Sequence, residues 1–265
     1  MALCQKHILY EKQPFPDNYA GGAEFLKELK TNMAVVKYTW LEAACGASRV
    51  ILHENAIVAY MVTFENLMDL PSNSCYALLA VFSVVAVLLY VIHILISGFA
   101  ISRICDHFYS LITLLLFGYA LTPVISTLTT TISTDTIYAM SISLFMFSFI
   151  FHDYGLDAAI VSEAFSVNLS LAASVCLVSR IESCEIAFCL LAFSMALFSY
   201  WPKLRNRLCQ RYDLVSLLMV SMIFPVTLFY LYRTSPPLSA VHLFLNFFIV
   251  LVAPWILVKM QPLKR

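Results

Sequence analysis

From about residue 48 to residue 260, long apolar runs alternate with short polar breaks. A run of about 20 apolar residues can cross a bilayer as an α-helix, which satisfies all its backbone hydrogen bonds internally. The pattern predicts about eight transmembrane helices, at 48–66, 76–101, 108–130, 137–151, 158–179, 186–201, 213–232 and 239–258. The breaks carry turn-forming residues: Pro71-Ser72-Asn73, the hydroxyl-rich stretch Ser126–Thr134, the turn His152–Asp157, Arg180–Glu185 and Arg233–Pro237. The sixth span ends at Trp201-Pro202, and a basic loop follows from Lys203 to Arg211.

Ahead of the spans, residues 1–47 form a polar head. Pro14, Pro16 and Gly21-Gly22 interrupt it. Phe25, Leu26, Leu29 and Met33 then recur at helical spacing, with Glu24, Lys27, Glu28 and Lys30 opposite. This predicts an amphipathic helix, lying on the membrane surface or packed on the spans. The chain thus divides into a cytosolic head (1–47), a polytopic domain (48–260) and a short tail (261–265). The first span is unusually polar. Its Arg49, His53, Glu54 and Asn55 are expected to face protein or the interface, because lipid tolerates such groups poorly.

Composition narrows the class. The chain is 61% hydrophobic and 12% charged, with a mean hydropathy of +0.84. A soluble domain carries about 25% charged residues to cover its core, so the fold class is an all-α integral membrane protein. Formal net charge is zero, and no concentrated basic face suggests nucleic acid. With eight spans, all the lysines and arginines except Arg180 and Arg233 fall on the side of the termini. The positive-inside rule then places both termini in the cytosol. No cleaved signal peptide is expected. The eight cysteines form no CxxC pair, and no metal-ligand spacing, Walker sequence or GxSxG element occurs. Neither a metal, a cofactor nor a catalytic residue is expected. The residues alone describe a membrane-embedded subunit or a small transporter.

Four constellations could carry chemistry. Asp153 and Asp157, in the turn with His152, Tyr154 and Gly155, could cap the fifth helix, meet a partner subunit, or form a sparse metal or acid–base site. Asp135, followed by Thr136, could cap the fourth helix or serve an interface. Ser162, Ser166 and Ser170 lie on one face of the fifth span and suit close helix packing. Asn168 heads a glycosylation sequon that its place within the span leaves unused. Lys203, Arg207 and Arg211 fall at helical spacing and could attract anionic lipid, or merely set topology.

Taken in order along the chain, LYEKQPFPDNY (Leu9–Tyr19), FLKELKTN (Phe25–Asn32), STDTIYAMS (Ser133–Ser141), the block from Asp153 to Ile181 and YWPKL (Tyr200–Leu204) resemble the PIG-C family, a membrane subunit of phosphatidylinositol N-acetylglucosaminyltransferase. The resemblance implies a multi-span endoplasmic reticulum protein in a multi-subunit complex. That complex moves N-acetylglucosamine from UDP-N-acetylglucosamine to phosphatidylinositol, the first step of glycosylphosphatidylinositol-anchor synthesis. Sugar transfer belongs to another subunit in the family. The implied partners are therefore the other subunits, including the catalytic one, together with phosphatidylinositol and membrane lipid. Pro14, Phe15, Pro16, Asp17, Asn18 and Tyr19 would meet partners, and Lys203, Arg207 and Arg211 would hold the inositol phosphate. Two rival readings stay open. One is a transporter or lipid scramblase using Glu54, Asp135 and the fifth-span serines. The other is a polytopic enzyme acting through Asp153 and Asp157.

Overall fold

The computed structural model describes residues 37–68, 131–155, 163–212 and 214–261, with scattered helical positions between 77 and 127. The head residues Pro14 to Tyr19, Asp157 and most of the predicted second and third spans lie outside the described residues.

Six helices have defined bounds among the described residues: α1 Trp40–Met68, α2 Thr134–Phe151, α3 Glu163–Val178, α4 Cys184–Arg211, α5 Val215–Thr234 and α6 Pro236–Met260. Four of them, α2, α4, α5 and α6, are long and apolar enough to cross a membrane. The starts follow local rules. Thr39 and Glu42 form a reciprocal capping box: the Glu42 N–H donates to Thr39 Oγ1 (3.3 Å) and the Thr39 N–H to Glu42 Oε2 (2.7 Å). That cap starts α1 at Trp40, eight residues ahead of the predicted span and inside the predicted head. Ser133 caps α2 and Ser183 caps α4, each accepting from the N–H three residues on.

The sixth span does not end at Trp201-Pro202. Helix α4 continues through the expected basic loop to Arg211. Pro202 lacks an N–H and its ring crowds the carbonyl four residues back. A wider π-helical turn at Ala196–Tyr200 immediately precedes it. The same device recurs in α6, where a π-helical turn at Phe248–Val252 precedes Pro254. Both prolines are thereby absorbed inside long helices.

Helix α1 is the hub of the bundle. It touches α2 and α4 on one side and α5 and α6 on the other. On the first side Tyr60, Phe64, Phe145, Leu177 and Phe198 form an aromatic-rich core, and on the second Ile51, Leu52 and Val220 pack together. This explains why α1 can be polar: it is surrounded by protein, and its His53 and Asn55 are fully buried. The apolar faces turned outward belong to α5 and α6, among them Met222, Phe229, Phe244 and Trp255. Helices α2 and α3 meet along serines, as the fifth-span spacing predicts. Ser148 Oγ donates to the Ser166 carbonyl and Ser166 Oγ to the Ser148 carbonyl, both at 3.0 Å. Ser148 and Ser170 hydroxyls lie 2.5 Å apart.

The helices run alternately. Gln261 Nε2 donates to the Tyr38 carbonyl (2.6 Å) and Ser216 Oγ to that of Cys45 (3.2 Å), so the start of α1, the start of α5 and the end of α6 share one end of the bundle. Arg49 bonds the Cys209 carbonyl, which brings the end of α4 to the same place.

Candidate functional site

That end holds a buried group that begins with Arg205. Its position on α4 sets it apart from its basic neighbours. Lys203, Arg207 and Arg211 project on an exposed stripe, whereas Arg205 turns inward with Leu204 and Cys209 and is 0% exposed. The guanidinium Nη2 reaches His152 Nε2 (3.0 Å) and Asn206 Oδ1 (3.1 Å), and Nε also donates to Asn206 Oδ1 (3.3 Å). His152 caps the C-terminus of α2, and its ring lies flat against that of His53, centroids 3.6 Å apart and planes 7° from parallel.

The hydrogen bonds fix the histidine tautomer. Arginine only donates, so His152 Nε2 accepts. The proton is then on Nδ1, which donates to Ser166 Oγ at 3.1 Å. Burial first, and the Arg205 charge second, push His152 down to about 3, so the ring is neutral at physiological pH. Burial raises the neighbouring Tyr154 hydroxyl, which donates to the Phe149 carbonyl at 2.6 Å and stays protonated.

Arg49 enters the same group from α1. Its Nη2 donates to the Cys209 carbonyl at 3.4 Å. Its Nη1 lies against Gly155, whose φ is +79°. A Cβ there would sit 3.0 Å from Arg49 Nη1 and would strain the backbone, so glycine is needed twice over. Asp153 folds back to accept the Gly155 N–H at 2.7 Å, and its carbonyl accepts from Asn206 Nδ2. The carboxylate makes no ion pair with either arginine among the described residues. Three buried polar atoms of this group have no hydrogen-bond partner: Arg205 Nη1, Arg49 Nε and His53 Nε2.

A second buried network lies on the other side of α1. Glu54 Oε1 accepts from His242 (2.7 Å) and Oε2 from Asn246 (3.2 Å). Asn55 donates to Asn246 Oδ1 (3.2 Å) and accepts from Thr227 Oγ1 (2.6 Å). Acceptors meet donors throughout, and the carboxylate has its counterpart in the histidine. The four polar residues of the first span are thus divided between two sites.

The remaining expected residues are placed as follows. Asp135 does not cap its helix; Ser133 does, because its hydroxyl reaches the Thr136 N–H (3.3 Å) and Oγ1 (2.7 Å), while Asp135 sits exposed in the first turn. Asn168 is exposed on α3. Lys203 pairs with Glu163 at 3.4 Å, and Arg211 lies over the Tyr212 ring. No group of three histidine, cysteine or carboxylate side chains able to hold a metal occurs among the described residues. Glu54, Asp135 and the serine seam are held in separate places and form no shared polar path.

Arg205 is the residue that sequence reasoning passed over. Helical spacing carried the signal: the stripe through Lys203, Arg207 and Arg211 leaves Arg205 on the face of Phe198 and Cys209.

The phosphatidylinositol N-acetylglucosaminyltransferase family model matches residues 5–265. The human PIG-C-type subunit of phosphatidylinositol N-acetylglucosaminyltransferase is 37% identical over 207 residues, covering 76% of this chain and 69% of the relative. Its Rattus norvegicus counterpart is 34% identical over 265 residues, covering 97% and 88%. The corresponding subunit of Schizosaccharomyces pombe is 23% identical over 275 residues, covering 98% and 83%. No solved structure matches. With a match across nearly its whole length, and relatives alike over most of both chains, this chain belongs to the PIG-C family of phosphatidylinositol N-acetylglucosaminyltransferase subunits.

Proposed function

We propose that this chain is a non-catalytic, multi-pass membrane subunit of the complex that transfers N-acetylglucosamine from UDP-N-acetylglucosamine to phosphatidylinositol, in the first step of glycosylphosphatidylinositol-anchor synthesis. The observation that carries this reading is likeness to PIG-C-type relatives over nearly the whole chain, on a body of membrane-length helices. The chain resides in the endoplasmic reticulum membrane with about eight spans and both termini cytosolic. The distribution of charge supports this orientation. Arg49, Lys203, Arg205, Arg207, Arg211 and Lys259 gather at one end of the bundle, and Arg180 and Arg233 at the other.

The head, through Pro14–Tyr19 and its amphipathic helix, and the turn of Asp153, Tyr154, Gly155 and Asp157 meet the other subunits, including the catalytic one. Asp135 and Thr136, at the opposite end, serve an interface on the lumenal side. Lys203, Arg207 and Arg211 draw anionic lipid to the cytosolic face, each worth about 1 kcal/mol near a charged surface. The test is a gentle-detergent pull-down of the tagged chain, assayed for N-acetylglucosamine transfer from UDP-N-acetylglucosamine to phosphatidylinositol. Activity and further subunits are expected to co-purify. A well-inserted chain that brings neither overturns the reading.

A further inference from the structure

Of the two buried polar networks, only the one around Arg205 has unfilled valences. A guanidinium carries five N–H donors. Arg205 uses Nε and Nη2, while Nη1 is buried with no acceptor. Arg49 adds a buried Nε with no acceptor, and its one described bond, to the Cys209 carbonyl, is long at 3.4 Å. His53, stacked on His152, contributes a third unpartnered atom at Nε2.

Charge is open in the same way. Two guanidinium groups meet one carboxylate, that of Asp153, which is spent on the Gly155 N–H and forms no ion pair with them. The stacked imidazoles are neutral, since two cationic rings would not lie face to face at 3.6 Å. The group therefore holds one positive charge in excess, in a place sealed from water. A buried cation with no counter-ion is among the most costly arrangements a protein can keep, and in a membrane protein it marks a site. The forked, planar donors of arginine match the oxygens of a phosphate.

We infer that the Arg205–Arg49 group, beside the stacked His53 and His152, is a binding site for a single phosphate group at the basic end of the bundle. The ligand supplies the acceptors that Arg205 Nη1 and Arg49 Nε lack and cancels the excess charge. Gly155 keeps the approach to Arg49 open, because any side chain there would press on Nη1. The exposed Lys203, Arg207 and Arg211 attract anions generally; the buried pair selects one oxyanion by geometry. The inference rests on the transferase reading only for its choice of phosphatidylinositol as a probe.

The test uses the full-length chain, with the subunits that co-purify, in phosphatidylcholine nanodiscs. One arm adds phosphatidylinositol to the bilayer and another adds inorganic phosphate in solution. Thermal midpoint and lipid retained by mass spectrometry are read in both. Phosphatidylinositol is expected to raise the midpoint and to be retained, which assigns the phosphate to a lipid headgroup; protection by inorganic phosphate alone supports the same site with a soluble ligand. Arg205→Gln should weaken the effective ligand by about tenfold or more, the worth of a charge-assisted bond pair. Arg49→Gln, nearer the surface, should weaken it as well and keeps the test valid where Arg205→Gln fails to fold. Arg233→Gln, at the other end, should leave binding unchanged. Response to neither probe overturns the site, as does unchanged binding in a folded Arg49→Gln protein. No response to either probe, with loss of a partner chain from Arg205→Gln, makes the counter-charge a partner's carboxylate and also overturns it. Loss of co-purifying transfer activity with binding intact breaks the transferase reading and leaves this inference standing.

Discussion

Helix α1 sends Arg49 and His53 into one buried polar network and Glu54 and Asn55 into another, and the two differ in kind. Around Glu54, His242, Asn55, Asn246 and Thr227 each acceptor meets a donor and the carboxylate meets its histidine. Around Arg205, donors outnumber acceptors and positive charge outweighs negative. Both are buried, so burial alone cannot separate architecture from function. Closure can. A closed network is a clamp: it holds α1 against α5 and α6 and gains nothing from an added ligand. An open one is stable in the complete assembly only when something fills it.

The sharpest way to break this comparison is to damage the closed network. Glu54→Leu leaves the His242 and Asn246 donors buried without acceptors. It should cost about 3 kcal/mol of stability, read as a fall in the denaturation midpoint in detergent. Glu54→Gln keeps one acceptor oxygen and should cost about 1 kcal/mol. Phosphatidylinositol retention should be unaffected in whatever fraction stays folded. Loss of retention in folded Glu54→Gln would mean that the clamp is part of the ligand site.

Acid should act mainly on the open network. His152 sits near 3 in the folded chain against an ordinary value of 6.5. Above 6.5 the ring is neutral in both folded and unfolded chains, and pH has no effect through it. As pH falls below 6.5 the unfolded chain takes up a proton that the folded chain refuses, so stability declines, down to about pH 3. The slope is about 1.4 kcal/mol per pH unit, or about 2 kcal/mol by pH 5. The groups facing His152 are Arg205, His53, Tyr154 and Ser166. A His152→Asn protein should lose most of this acid sensitivity in a pH series of thermal midpoints. An unchanged series would move the sensitivity to the His242 side.

Gly155→Ala is subtler, because it alters no charge. Left-handed backbone costs a side chain about 1–2 kcal/mol, and the new Cβ would lie 3.0 Å from Arg49 Nη1. A midpoint loss of that size is expected, together with weaker phosphatidylinositol retention. A stability loss with full retention would show that Arg49 can move aside without harm to the site.

Sequence pattern made most of the bundle legible, because lipid leaves few choices. Apolar length located α2, α3, α5 and α6 to within a few residues. The polar residues of the first span were a sound warning, and Arg49, His53, Glu54 and Asn55 all turned out to be protein-facing. What pattern missed has local causes. A proline after a π-helical turn does not stop a helix, so α4 ran on through the expected loop. A serine two residues before Asp135 had the better reach to the free N–H groups. The partners of Glu54 are 188 and 192 residues away in the chain, and nothing in its neighbourhood names them. Arg205 was hidden by its own neighbours: among four basic residues read as one solvated stretch, only the helical phase marks it as inward.

The mildest perturbation tests that phase directly. Lys203 lies two residues before Arg205 and carries the same charge, yet it is more than half exposed, and so is its partner Glu163. Exposed ion pairs contribute about 0.5 kcal/mol or less, since water and salt screen them and two side chains must be held in place. Lys203→Ala should therefore shift the denaturation midpoint barely at all, and salt should erase what shift there is. Its effect on lipid should be general: slightly weaker association with any anionic bilayer, with no preference for phosphatidylinositol lost. Arg205→Gln should do the reverse, losing the preference while leaving general attraction to anionic vesicles intact. The two variants remove equal charge two residues apart, so any difference between them comes from the face of the helix each one occupies. Equal loss of preference in both would make the basic segment one diffuse electrostatic surface, with no selective site inside it.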